Sequence, residues 1–211
     1  MSITIIDYGA GNLRSVQKAF QKLGFDAEIT KDKTTIHASK GIVLPGVGSF
    51  DAALLELRNS GLETVIEEAI ALRKPFLGIC LGLQHLFESS EEGKLKGLSL
   101  LSGSVKKFNF SGTPWESQSV PHMGWNRLLI KHKAPIFEGI EDGSMVYFAH
   151  SYHAVPKDES MVATRTDYGI EFVSSIWKDN LFGIQFHPEK SGEIGLRILQ
   201  NFGKLCTSPR L

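Results

Sequence analysis

The apolar positions of this chain change period along its length. "SITIID" (residues 2–7) is a short β-branched run and reads as a first strand, with "YGAGN" after it as a turn. Leu13, Val16, Phe20 and Leu23 then recur at helical spacing, and Gly24 is placed to stop that helix. "FDAEIT" and "GIVLP" read as the second and third strands, and "PGVGSF" (45–50) as a glycine loop. Asp51 is expected to cap a helix over 52–59, and another helix is expected over 61–74. "PFLGIC" (75–80) is a fourth strand, running into a helix-like pattern after Gly82. Strands alternating with helices imply right-handed crossovers, a mostly parallel sheet and helices on both faces.

The period shortens in the second half. "LSLLSGSVKKF", "MVYFAHSYHAV", "MVATRT", "IEFVSSIW" and "LFGIQFHP" are strand-like runs separated by turns. "SSIWKDNLFGIQF" reads as a hairpin with Lys178 to Asn180 near its turn. "EIGLRILQNFGKL" closes the chain as a helix. These patterns describe one α/β domain over 1–211, with added antiparallel strands in its C-terminal half.

Composition removes several function classes. With 23 Lys+Arg against 23 Asp+Glu there is no basic excess for nucleic acid or an anionic membrane surface. The longest apolar runs are strand-sized, too short to span a bilayer. The N-terminus lacks the basic start and small-residue cleavage site of a signal peptide. Two cysteines, Cys80 in a strong local pattern and Cys206 in a polar tail, do not make a disulfide framework. A reducing, cytoplasmic setting fits best.

Three motifs could carry chemistry. Gly78-Ile79-Cys80-Leu81-Gly82 has the form of a nucleophile elbow, in which a strained turn presents the nucleophile where neighbouring Cβ atoms would collide. A following helix would favour thiolate through its N-terminal dipole, and the Leu81 N–H would face a developing oxyanion. Alone, the pattern also fits a cysteine buried as a small hydrophobe. "FHPEKS" (186–191) shifts that balance. In extended chain His187 and Glu189 share a face, so Glu189 can hold one ring nitrogen while the other meets a nucleophile. The order nucleophile, base, acid differs from that of α/β-hydrolases. "PGVGSF" falls at the carboxyl edge of a parallel strand, the edge that carries Cys80, and could turn a second N–H toward a substrate oxygen. It also fits a bare turn, and no Lys-Ser/Thr pair follows to make it a phosphate loop.

Together "PGVGSF", "GICLG" and "FHPEKS" resemble the class I, or triad, glutamine amidotransferases, over nearly the whole chain. "IDYGAGNLRSV", "VPHMGWN" (120–126) and "YFAHSYH" (147–153) narrow the resemblance to the glutaminase subunits of imidazole glycerol phosphate synthases. The resemblance implies the flavodoxin-like fold of the class I enzymes. It implies Cys80 as nucleophile, His187 as acid/base and Glu189 as its orienter. It assigns the oxyanion site to Val47, Gly48 and Leu81, where the Val47 strand can need a peptide flip. Gln84, Ser151 and Tyr152 match positions that hold the amino-acid end of L-glutamine. Asn12, Trp125, Tyr147 and Lys190 match positions facing the partner or its ammonia entrance. No cofactor or metal is implied. A chain of this length leaves no room for a synthase domain, so the acceptor chemistry is expected on a (β/α)8-barrel cyclase subunit. That partner would make imidazole glycerol phosphate and aminoimidazole carboxamide ribonucleotide.

A glutaminase serving another acceptor, such as a pyridoxal phosphate or anthranilate synthase, and a catalytically silent interaction subunit are the alternatives. "HMGWN" and "DYGAGN" argue against the first, and the intact triad against the second. His85 is expected to pack or cap. His150 and His153 flank Ser151-Tyr152 without further metal ligands at a known spacing. "KHK" (131–133) and "VKKF" (105–108) read as solvated surface, and Cys206 as incidental.

Overall fold

A computed structural model describes residues 3–207; Ser2 of the first expected strand and residues 208–211 lie outside them. The first half follows the expected rhythm. β1 (Ile3–Ile6), α1 (Leu13–Lys22), β2 (Ala27–Thr30), α2 (Lys33–Ala38), β3 (Gly41–Gly46), α3 (Phe50–Asn59), α4 (Leu62–Ala71) and β4 (Phe76–Cys80) succeed one another. β2, β1, β3 and β4 lie side by side and parallel. Strand side chains alternate between the two faces. Ile3, Ile5, Val43, Leu77 and Ile79 pack against Val16 and Phe20 of α1. Ile6, Ile42, Leu44 and Phe76 pack against Phe50, Leu54, Leu62 and Ile66 of α3 and α4. Both faces are therefore covered, and the expected helices on both faces are present.

Local details explain the boundaries. Gly24 adopts φ +83 just past α1, as a helix-stopping glycine should. Asp51 is not the cap of α3. The helix starts earlier, with Ser49 at its N-cap, because the Glu92 carboxylate accepts the Phe50 N–H at 3.0 Å from a distant loop. The Asp51 carboxylate instead accepts the N–H groups of Lys94 (2.8 Å) and Leu95 (3.1 Å).

After Cys80 the helix-like pattern yields only one turn, α5 (Leu81–Gln84). β5 (Ser89–Ser90), β6 (Gly103–Lys107), β7 (His122–Arg127), β8 (Leu129–Ile130), β9 (Met145–His150) and β10 (Tyr152–Pro156) follow. β11 (Val162–Asp167), β12 (Glu171–Lys178), β13 (Leu181–Ile184) and α6 (Gly192–Thr207) complete the described chain. β13 inserts parallel beside β4, and β12 and β10 extend the sheet antiparallel. The β12–β13 hairpin pairs Lys178 with Leu181 around Asp179, whose φ is +55.

Two expectations change here. "MVYFAHSYHAV" is not one strand. It breaks at Ser151, where the chain leaves a separate two-stranded sheet, β7–β9, and enters the main one. Cys206 does not sit in a polar tail. It lies on the same stripe of α6 as Leu199 and Phe202 and is buried beside the start of β3, where burial pushes its thiol up to about 12. Among the described residues no helix is long and apolar enough to cross a membrane.

Candidate active site

The centre of the site is a strained junction between β4 and α5. Cys80 has φ +55 and ψ −109, a left-handed-side backbone that a non-glycine residue adopts only where its surroundings enforce it. Glycines permit the close approach. A Cβ on Gly82 would stand 1.9 Å from the Leu44 carbonyl oxygen, and one on Gly78 would stand 2.8 Å from the Gly82 oxygen. Gly46 is equally confined, its notional Cβ 2.7 Å from the Tyr8 hydroxyl, which donates to the Pro45 carbonyl at 2.9 Å. The junction is thus wedged against β3, and Cys80 faces a cavity of about 340 Å³.

"FHPEKS" arrives at the same edge because β13 lies beside β4. His187 lines the same cavity as Cys80, and its Nδ1 lies 3.0 Å from Glu189 Oε1. The expected extended geometry is replaced by a 3-10 turn, Pro188–Lys190, with Pro188 at its start. That turn, rather than strand alternation, brings Glu189 under the ring. It is pinned to β9 twice: His187 N–H donates to the Tyr147 carbonyl, and Ser191 Oγ donates to the His187 carbonyl while accepting the Tyr147 N–H. Glu189 Oε1 also accepts from Asn12 Nδ2 at 3.2 Å. Asn12, expected on a partner face, therefore sits behind the Cys–His–Glu line.

The electrostatics follow from this packing. Burial alone would lower the His187 pKa, but the hydrogen bonds to Cys80 and Glu189, with their charges, outweigh it and push His187 up to about 10. Because α5 is a single turn, the charge facing Cys80 comes from this ring rather than from a long helix dipole. His187 is then an imidazolium throughout the neutral range and becomes neutral as pH rises through about 10. An acid that protonates a leaving group is lost in that same window. Replacing Glu189 by Gln removes one of the raising contributions, so the alkaline limb of kcat/KM for a reaction needing this acid is expected to move to lower pH. A limb that stays in place would contradict the pairing.

Val47, Gly48, Leu81, Gln84, Ser151, Tyr152 and Lys190 all line the cavity with Cys80 and His187. Gly48 has φ +99 with open space where a Cβ would stand, so glycine there serves backbone freedom. Gln84 Nε2 donates to the Tyr152 carbonyl and to Gln185 Oε1, both at 3.0 Å. Trp125 and Tyr147 do not line the cavity. They meet edge to face on the outer side of the β7–β9 sheet, and the Lys190 ammonium stands 5.7 Å over the Tyr147 ring.

Sequence reasoning missed several residues of this site. Gln185 Nε2 lies 3.6 Å from Cys80 Sγ, and a polar residue inside the apolar run "GIQF" was the available signal. Half-buried Glu92 brings a carboxylate to the wall, and His150 lines it as well. No local pattern marked Glu92 or paired Asn12 with Glu189, because both arrangements join distant parts of the chain.

The match to known proteins is extensive. The family model "Glutamine amidotransferase class-I" matches residues 4–205. The chain is 49% identical to the imidazole glycerol phosphate synthase subunit HisH of Syntrophotalea carbinolica, covering 96% of this chain and 100% of that one. It is 50% identical to the subunit of the same name from Moorella thermoacetica, covering 96% and 94%. The solved structure of a glutamine amidotransferase superposes with a TM-score of 0.76 at 18% identity, over 99% of this chain and 100% of that one. PurLQS from Thermotoga maritima superposes with a TM-score of 0.75 at 22% identity, over 95% and 96%.

Proposed function

Since the chain belongs to the class-I glutamine amidotransferases, we propose that it hydrolyses glutamine as the glutaminase subunit of an imidazole glycerol phosphate synthase. It does so as a single amidotransferase domain over 1–211 in a reducing, cytoplasmic setting. The observation that carries this reading is Cys80 on a strained elbow, sharing the wall of an amino-acid-sized cavity with a His187 that Glu189 holds.

The residues supply each step. Cys80 Sγ attacks the side-chain amide carbon of glutamine. Backbone N–H groups at Gly48 and Leu81, with Val47 shaping the loop, hold the oxyanion. The His187 imidazolium protonates the departing amine, and the carbon–nitrogen bond breaks to give ammonia and a γ-glutamyl thioester. Neutral His187 then takes a proton from water as the water attacks the thioester, and glutamate leaves with Cys80 restored as thiolate. Asn12 and Glu189 keep the ring oriented throughout.

Substrate selection follows from charge. A free amino acid carries an ammonium and a carboxylate. Glu92 supplies the complementary anion on the cavity wall, while Gln84, Ser151 and Tyr152 hold the same end of the molecule. Glu92→Gln is expected to raise KM for glutamine by about tenfold while changing kcat little, the signature of lost ground-state binding. An unchanged KM would remove Glu92 from this role.

Ammonia must then reach an acceptor. At neutral pH free ammonia in water protonates and ceases to be a nucleophile, so direct transfer to a second active site is physically favoured. The outer face of the β7–β9 sheet, with exposed Met123, Trp125 and Met145, suits a protein partner. The partner in this reading is a (β/α)8-barrel cyclase subunit, with Trp125, Tyr147 and Lys190 at the ammonia entrance. Ammonia release from glutamine, measured with and without that subunit and its nucleotide ligand, tests the reading. Stimulation on addition of both supports it. Full-speed turnover indifferent to both would remove the partner, and absence of turnover in every mixture would remove the activity.

A further inference from the structure

Beside the glutamine cavity lies a set of imidazoles that the reaction above does not use. His122 and His150 are buried, 2% and 5% exposed. His122 is stacked between Tyr168 (centroids 3.8 Å apart) and Phe148 (4.8 Å), and Phe108 packs against both imidazoles. Their nitrogens form a continuous series. His150 Nδ1 is 2.8 Å from the Tyr152 carbonyl oxygen, His122 Nδ1 is 3.2 Å from His150 Nε2, and Asn126 Nδ2 is 3.4 Å from His122 Nε2. Asn126 Nδ2 also donates to the Asp167 carbonyl at 2.8 Å.

Elementary donor–acceptor logic sets the protons. A carbonyl oxygen only accepts, so His150 carries its proton on Nδ1. Burial, the main cause, holds His150 near 3 and His122 near 4, so both rings are neutral and each has one N–H. His150 Nε2 is then an acceptor, His122 donates from Nδ1, and His122 Nε2 accepts from the Asn126 amide. Every polar atom in the series is satisfied in one direction only. Both ring nitrogens of His150 are thereby committed. Among the described residues no three His, Cys, Asp or Glu side chains converge in a metal-binding arrangement.

The series ends at a functional point. The Tyr152 carbonyl that accepts from His150 accepts also from Gln84 Nε2, whose other hydrogen goes to Gln185 Oε1, and Gln185 Nε2 faces Cys80 Sγ. Ser151 lies between His150 and Tyr152, just where the chain crosses from the small sheet to the large one. We propose that His150, held by His122, is a positioning residue for glutamine hydrolysis, fixing the Tyr152 carbonyl and so the Ser151–Tyr152 segment that receives the amino-acid end of glutamine. This rests on the role given to that segment above.

The test compares His150→Leu, which removes the donor, with His150→Asn, whose amide occupies about the place of Nδ1. In the full-length chain, with its partner where that is needed for turnover, His150→Leu is expected to raise KM for glutamine about tenfold with kcat within about threefold, and His150→Asn to restore most of KM. A merely structural role would not give that split or that rescue. If His150→Leu fails to fold, His122→Phe keeps the ring stack, removes the donor to His150 and is expected to raise KM about threefold. Long-range ¹H–¹⁵N spectra of the wild-type chain supply a readout independent of activity, with both rings expected neutral and protonated on Nδ1. A folded His150→Leu with unchanged KM, or a His150 ring protonated on Nε2, overturns the proposal. With the wild type turning over glutamine normally, either result leaves the glutaminase reading in place.

Discussion

Cys80→Ala is expected to lower kcat for glutamine hydrolysis by about 10⁴-fold or more while leaving the fold intact. Among the described residues of the cavity wall, Cys80 Sγ is the nucleophile that has the His187–Glu189 pair beside it. In the proposed reaction neither the tetrahedral intermediate nor the thioester can form without it, and His187 and the N–H groups proposed to hold the oxyanion have nothing to act on. Non-additivity sharpens the expectation: adding His187→Ala to Cys80→Ala costs little more, because the residues work as a unit. The substitution removes one sulfur atom from a side chain that faces a cavity, so thermal unfolding is expected to stay near the wild-type midpoint. Steady-state ammonia release and a melting curve on the same preparation check both halves. Residual turnover within tenfold of wild type would sink the assignment of Cys80.

Gly82→Ala is expected to be as damaging for a different reason. Its Cβ would lie 1.9 Å from the Leu44 backbone oxygen, and no side-chain rotation relieves a clash with backbone. β3 and α5 must separate, which costs about 3 kcal/mol by analogy with severe overpacking. The same movement displaces the Leu81 N–H and widens the gap between the "PGVGSF" loop and Cys80, so activity falls with stability. Chemical denaturation measures the first effect and kcat the second. A variant with unchanged midpoint and unchanged kcat would show that the elbow is looser than the packing implies. Gly9→Ala is a suitable control: its notional Cβ has open space, so the cost is limited to the strain of φ +87.

How far this was legible in the sequence depended on where each signal lies. The parallel half was readable because Val16 and Phe20, or Ile42 and Leu44, repeat with clear period inside one element. α2 was missed because only Ile36 of its six residues is buried, leaving no stripe to detect. β7 was missed because its polarity is inverted. His122 faces the interior, where aromatic rings surround it, while Met123 and Trp125 face outward. That Cys80, His187 and Glu189 come together was readable since each sits in a compact motif, yet the local geometry was misjudged: a 3-10 turn, not extended chain, joins His187 to Glu189. Asn12, Glu92 and Gln185 act through contacts 177, 42 and 105 residues apart in sequence, so no local window could reveal those partners.

The central claim is that glutamine passes through a covalent bond to Cys80. Acid quenching of the chain during turnover of isotopically labelled glutamine, followed by peptide mass analysis, reads this directly. Label is expected on the peptide that carries Cys80, and absent both from buried Cys206 and from the Cys80→Ala chain. Hydrolysis that proceeds with no label on that peptide, even when quenched early, or with label on another residue, would contradict it.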